Sequence, residues 1–212
     1  MNVDAAYQQP IVFLLGFAVL ILSVGIHEFA HVYAAYLQGD QTGRLMGRLT
    51  LNPIRHLDPL GTAFMFVSML AGVGIGWGKP APFNPSALRY HRWGSFFVAI
   101  AGPISNILFV MIAGYTYKYL FPGLPENNLL GLFLGLVMLI NAGLAIFNLL
   151  PISPLDGSHL LEAILGIGHP INQFLRRYGF FILLGLLFFG QRLISAWVVG
   201  GIRFLLTILG LN

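Results

Sequence analysis

The chain has no cysteine in 212 residues. That excludes disulfides, thiolate metal ligands and a cysteine nucleophile, and it leaves the redox compartment undetermined. Charge is almost as scarce. Asp, Glu, Lys and Arg make up 8% of the residues, against about 25% in a soluble domain. So few charges cannot coat a water-facing surface. Hydrophobic residues reach 57% and mean hydropathy is +0.81, the composition of an integral membrane protein. Acidic residues are the scarcest charges, 7 against 11 Lys plus Arg, for a net +4. These cations are spread thinly between apolar runs. They form no nucleic-acid patch and fit the positive-inside bias of membrane proteins. No Lys or Arg precedes the apolar run that starts at Ile11, and no small-residue cleavage site ends it. The first helix is therefore expected to be retained rather than removed as a signal peptide. No internal repeat or low-complexity segment appears.

The length fits a single domain, 1–212, with a core over roughly 10–165 and C-terminal membrane helices at 178–209. A first span is predicted from about Pro10 to Leu37, ended by Gly39 and Asp40. Residues 41–60 are turn-rich, with short extended pieces. Residues 61–76 are apolar but short and glycine-containing, marginal for a span, so a re-entrant hairpin is the alternative. A proline-laden connection at 77–94 leads to spans at 95–120 and 129–150. Pro151 and Pro154 break the latter before Asp156-Gly157. A short helix is expected at 158–168, then one long or two short helices over 178–209. The expected fold is an all-α polytopic bundle of about 4–6 membrane segments, with short extended strands or a re-entrant segment near 41–90. Loops 39–60 and 77–94 each carry three Lys or Arg, and Arg176 and Arg177 follow the Asp156 region. The N-terminus and the 121–128 loop, which holds Glu126, have none. This asymmetry places the N-terminus outside and the basic loops in the cytoplasm, so that 61–76 reads better as re-entrant.

Within the first span stands His27-Glu28-Phe29-Ala30-His31. Residues four apart share one face of a helix, so both imidazoles can ligate one metal ion while Glu28 projects beside it. Zinc suits this set: a catalytic zinc takes three protein ligands and keeps one position for water. Glu28 can take that water's proton as general base. A carboxylate inside an apolar helix costs a few kcal/mol on insertion scales, so it needs a partner or a use. A buried hydrogen-bonded cluster, or a proton or ion path, is the competing reading.

Asp156 is the candidate third ligand, following a span that returns toward the same side. Spacing alone leaves two roles open for it, metal ligand or cap of the helix that starts at Gly157. Asn106 and Asn148 stand within or at the end of apolar spans, where an unpaired amide is costly. Each can polarise a scissile carbonyl or hold substrate backbone. Each can equally well hydrogen-bond between helices.

Five blocks carry a family resemblance. They are His27–His31, Gly47-Arg48-Leu49-Thr50-Leu51-Asn52-Pro53, Gly76-Trp77-Gly78-Lys79-Pro80, Ala101-Gly102-Pro103-Ile104-Ser105-Asn106, and Asn148 through Gly157. Together and in this order, over roughly residues 20–165, they resemble the site-2 protease family of intramembrane zinc metalloproteases, in the short form without a PDZ or CBS domain. The resemblance implies one Zn2+ per chain held by His27, His31 and Asp156, with Glu28 as catalytic base. It implies a hydrolase that cuts membrane-associated protein substrates with a zinc-activated water. The protein would be multi-pass in the cell membrane, with its active site nearer the cytoplasmic face. Nothing implies a nucleic-acid partner, and any regulatory or oligomeric partner is left unnamed.

The remaining residues take quieter readings. The 47–53 and 77–85 stretches can present extended edges to a substrate segment, or serve as plain loops. His56 and His91 are expected at the surface. His159 is expected to be structural and Asp58 to make a turn. A metal or proton transporter would need polar groups through both halves of the bilayer, and no Asp, Glu, His, Lys or Arg stands in 11–26 or 96–117. A non-catalytic relative would be expected to have lost a ligand or the base.

Overall fold

The computed structural model describes residues 10–70, 74, 76–124, 128–166 and 168–211. The end of the 61–76 segment at 71–73 and 75, and Glu126 with its neighbours at 125–127, lie outside the described residues. So does the side chain of His91.

Helix α1 (Pro10–Leu37) takes up the predicted first span. Gly39 ends it in the left-handed region, φ +102°, while the Asp40 N–H bonds back to the Ala35 carbonyl, closing off the last turn. A short helix α2 (Thr42–Leu45) and a 3-10 turn (Pro53–His56) follow. Helix α3 (Pro59–Leu70) begins where Asp58 accepts from the Gly61 N–H at 2.7 Å, the turn chemistry expected of it. Its 12 residues reach only about 18 Å at roughly 1.5 Å each, too short to cross a core of about 30 Å.

Helix α4 (His91–Tyr115) continues through a π turn (Thr116–Leu120). Then come α5 (Leu129–Asn148), α6 (Gly157–Leu165), α7 (Pro170–Phe189) and α8 (Gln191–Ile208). The 178–209 stretch is thus two helices broken at Gly190. Among the described residues the extended pieces near 41–90 amount to one antiparallel bridge, Leu57 with Gly78, rather than a sheet.

Among the described residues, four stretches are long and apolar enough to cross a membrane: Pro10–Leu37, Trp93–Leu120, Leu129–Asn148 and Gln191–Ile208. The protein is an all-helical polytopic membrane protein. Helices α1, α4 and α5 pack on one another, α6 rests on α4, and α8 lies against α5. Phe13, Leu20 and Val24 of α1 bury against Met65 and Met69 of α3. The short helix is thereby docked on the long one, and the loops on either side of α3 close over the half of α1 that carries His27, Glu28 and His31.

Candidate metal centre

Helix α4 receives the two imidazoles of α1 on one stripe. Val98, Gly102 and Asn106 are spaced four apart and so share a face. At one end the His31 Nδ1–H donates to the Val98 carbonyl at 2.8 Å; at the other the His27 Nδ1–H donates to Asn106 Oδ1 at 2.6 Å. Gly102 between them makes the close approach possible. A Cβ there would lie 2.5 Å from His31 Nε2 and 2.6 Å from His27 Nε2, so any larger residue would push into the rings. The imidazoles stand nearly perpendicular, 87° apart, with centroids 4.6 Å from each other.

Asn106 is held in turn. Its amide N–H donates to Asn141 Oδ1 at 2.8 Å, and the Asn141 amide donates to the Val137 carbonyl at 2.8 Å. Both asparagines are about 1% exposed. The chain from His27 through Asn106 to Asn141 ties α1, α4 and α5 together by hydrogen bonds that lipid cannot replace. This is the helix-joining role left open for Asn106, with the further effect of orienting a candidate ligand. The sequence reading missed Asn141 and Gly102. The signal for Asn141 was present as a lone amide inside an apolar span. Asn148 spends its amide donor on the Leu144 carbonyl at 3.0 Å, one turn back in its own helix.

Asp156 arrives from the other side. After α5 the chain turns at Leu149–Leu155 so tightly that the Gly157 backbone packs directly on the Leu149 and Leu150 carbonyls. Asp156 occupies the cap position of α6, yet its side chain makes no cap hydrogen bond. The carboxylate turns to the histidines instead, Oδ2 at 3.1 Å from His27 Nε2 and Oδ1 at 3.4 Å from His31 Nε2. One donor atom from each of His27, His31 and Asp156 falls within 4.8 Å of the others, with both histidines buried and Asp156 half-buried.

The donor chemistry tests whether a cation belongs here. Each Nδ1 faces a carbonyl-type oxygen and must carry the hydrogen, so in the neutral rings each Nε2 presents a lone pair. Two lone pairs then face a carboxylate in a buried site, an arrangement that repels unless a positive charge stands among them. A zinc ion with two nitrogen and one oxygen ligand satisfies it, the ligand set of an open catalytic site.

Glu28, the next residue along α1, is half-buried, and its Oε2 is buried with no hydrogen-bond partner among the described residues. His56 corrects the sequence reading. It was expected at the surface and is instead 0% exposed, because the Pro53–His56 turn packs onto α1, where a Cβ on Gly25 would lie 2.8 Å from Pro53 Cβ. Its Nε2–H donates to the Thr50 carbonyl at 2.8 Å. His159 takes the structural place expected of it, with Nδ1–H donating to Glu162 at 3.1 Å.

Comparison with known proteins places the chain in a family. The profile of peptidase family M50 matches residues 122–190, the stretch that contains Asp156. "Putative zinc metalloprotease YwhC" of Bacillus subtilis is 38% identical over 173 residues, covering 78% of this chain and 76% of that one. "Putative zinc metalloprotease Rip2" of Mycolicibacterium smegmatis is 33% identical over 152 residues, 71% of this chain and 57% of its own length. The chain thus spans about three-quarters of the Bacillus relative and little more than half of the mycobacterial one. No solved structure matches the chain. The similarity to the Bacillus protein extends along most of both sequences, and the chain belongs to peptidase family M50, the site-2 protease family of zinc metalloproteases, as an integral multi-pass membrane protein.

Proposed function

We propose that the whole chain, 1–212, is one membrane-embedded protease domain that hydrolyses peptide bonds of membrane-associated proteins at the His27–His31–Asp156 centre. The observation that carries the reading is the convergence of two Nε2 lone pairs and one carboxylate inside the bundle, beside Glu28, whose Oε2 has no hydrogen-bond partner among the described residues. Zinc bound there supplies a Lewis acid that polarises the scissile carbonyl and lowers the pKa of water toward about 7.

The residues do the rest. His27 and His31 are held by Asn106 and the Val98 carbonyl, and Asp156 completes the set from the α5–α6 turn. Glu28 accepts a proton from the attacking water and returns it to the leaving amine. The basic loops 39–60 and 77–94 face the cytoplasm under the positive-inside bias. They put the centre nearer that face of the cell membrane, the side from which water reaches it.

The test compares cells lacking their own copy that express either wild type or Glu28→Gln, with new protein termini mapped by mass spectrometry. Termini inside or beside apolar spans that appear with wild type only are expected. Identical terminus profiles in the two strains would overturn the proteolytic reading.

A further inference from the structure

Near Glu28, the 47–58 loop brings two polar side chains into the protein. Arg48 is 5% exposed and His56 is 0% exposed. Both are fastened by one bond each, Arg48 Nη2–H to the Lys79 carbonyl at 2.6 Å and His56 Nε2–H to the Thr50 carbonyl at 2.8 Å. Their other atoms are left over: Arg48 Nε and His56 Nδ1 are buried and have no hydrogen-bond partner among the described residues, as is true of Glu28 Oε2. No carboxylate among the described residues lies within ion-pair distance of Arg48, unusual for a buried guanidinium.

The three residues border the same piece of backbone, Gly78-Lys79. The Lys79 N–H donates to the His56 carbonyl at 2.7 Å while the Lys79 carbonyl accepts from Arg48. A Cβ on the adjacent Gly78 would sit 3.1 Å from the His56 carbonyl oxygen and 3.5 Å from Glu28 Cγ. Burial pushes His56 below its ordinary value, toward the neutral ring. The Thr50 bond and Glu28 oppose that shift, and Arg48 adds to it. Glu28 likewise acts on Arg48.

The hydrogen-bond inventory shows what would satisfy all three atoms. Arg48 Nε is a donor. His56 donates through Nε2, so its Nδ1 is an acceptor, and the Glu28 oxygen is a second acceptor. One donor and two acceptors complement a single water, which accepts one hydrogen bond and donates two. We propose that Arg48 and His56 are positioning residues that hold a buried water against Glu28 Oε2, fixing the carboxylate and keeping water beside it within an apolar bundle. Two buried side chains that are not among the candidate metal ligands thus gain a role in the reaction. The proposal rests on the reading of Glu28 as the base, but the water site itself can be tested without it.

The direct test is X-ray radiolytic labelling of the detergent-solubilised full chain in H2 18O, without substrate. A buried histidine touching bound water takes up 18O, whereas a dry one does not. Labelling of His56 well above that of the buried Leu88 and Val110, after correction for side-chain reactivity, is expected. Labelling of His56 no higher than theirs overturns the proposal.

Two variants separate positioning from loop structure. His56→Gln can keep the donor to Thr50 but loses the acceptor at the Nδ1 position, whereas His56→Asn does the reverse. With fluorescein-labelled casein as substrate and zinc content equal in both, His56→Gln is expected to lower kcat about tenfold with KM nearly unchanged, and His56→Asn to retain more. The opposite order overturns the proposal in favour of a loop brace. Casein left uncut by wild type leaves the reading of a protease for membrane-associated proteins in place, and the 18O result then decides the water site alone.

Discussion

The two sides of Glu28 are built on opposite principles. On the ligand side every Nδ1 has a partner. His27 leans on Asn106, Asn106 on Asn141 and His31 on the Val98 carbonyl, while the three inward-facing donor atoms converge. On the loop side Arg48, His56 and Glu28 each leave a buried polar atom with no hydrogen-bond partner among the described residues. Saturation fixes geometry, as a metal site requires, because ligands free to rotate lose affinity. Unpaired buried atoms are costly to the fold, and they are retained where something that comes and goes completes them. The ligand side is therefore a fixed frame, and under the proposal above the loop side is the one that meets water.

Substitutions test that contrast at each step. Glu28→Gln, between the two sides, is expected to lower the rate by roughly 10^2–10^4 while zinc content stays at the wild-type level, measured by cleavage and elemental analysis on one preparation. Loss of zinc in this variant would mean that Glu28 belongs to the frame.

Asn106→Leu removes the oxygen that orients His27, and zinc affinity should fall about 10–100-fold by competition with a chelator. An unchanged affinity would show that His27 is oriented by packing alone. Gly102→Ala keeps every hydrogen-bonding group but drives a methyl against both rings. Overpacking costs about 1–3 kcal/mol, and about 1.4 kcal/mol is a tenfold loss of zinc affinity. Equal affinity in this variant would show that the α1–α4 contact is softer than described.

The smallest effect is placed at the hinge of the loop side. Asp40 is 2% exposed and accepts from the Thr42 hydroxyl, the Thr42 N–H and the Asn84 N–H. Burial would raise its pKa, but these three hydrogen bonds outweigh burial and hold it below the ordinary value. A depressed folded value means that Asp40 contributes stability fully above about pH 4, the unfolded value, and loses it as pH falls through the folded one. Asp40→Asn should cost roughly 1–2 kcal/mol in thermal unfolding at neutral pH, and the gap to wild type should narrow in acid. A constant gap would remove the carboxylate from the account.

Much of the frame was legible because it rests on helical spacing. The positions of His27 and His31 follow from four-residue periodicity, and the bounds of α1 and α5 from apolar length and the Gly39 and Pro151 breakers. Spacing alone left Asp156 open between cap and ligand, and only the family resemblance made it a ligand, since both roles place an Asp before the same glycine. Only the direction of the carboxylate separates them, and that depends on how tightly Leu149–Leu155 folds. His56 was misread because its loop is basic and rich in turns, a composition that normally means surface. The loop is instead folded back onto α1 by Pro53, a contact between residues 28 apart that no local pattern encodes. Gly102 escaped for a related reason, since a glycine in an apolar helix gives no sign of what its missing side chain makes room for.

Zinc content of the purified protein tests the account most directly, with wild type beside Asp156→Ala and Glu28→Gln by elemental mass spectrometry. The account predicts about one zinc per chain in wild type and Glu28→Gln and little in Asp156→Ala. Wild type that binds no zinc even when it is supplied, or Asp156→Ala that keeps a full complement, would contradict it.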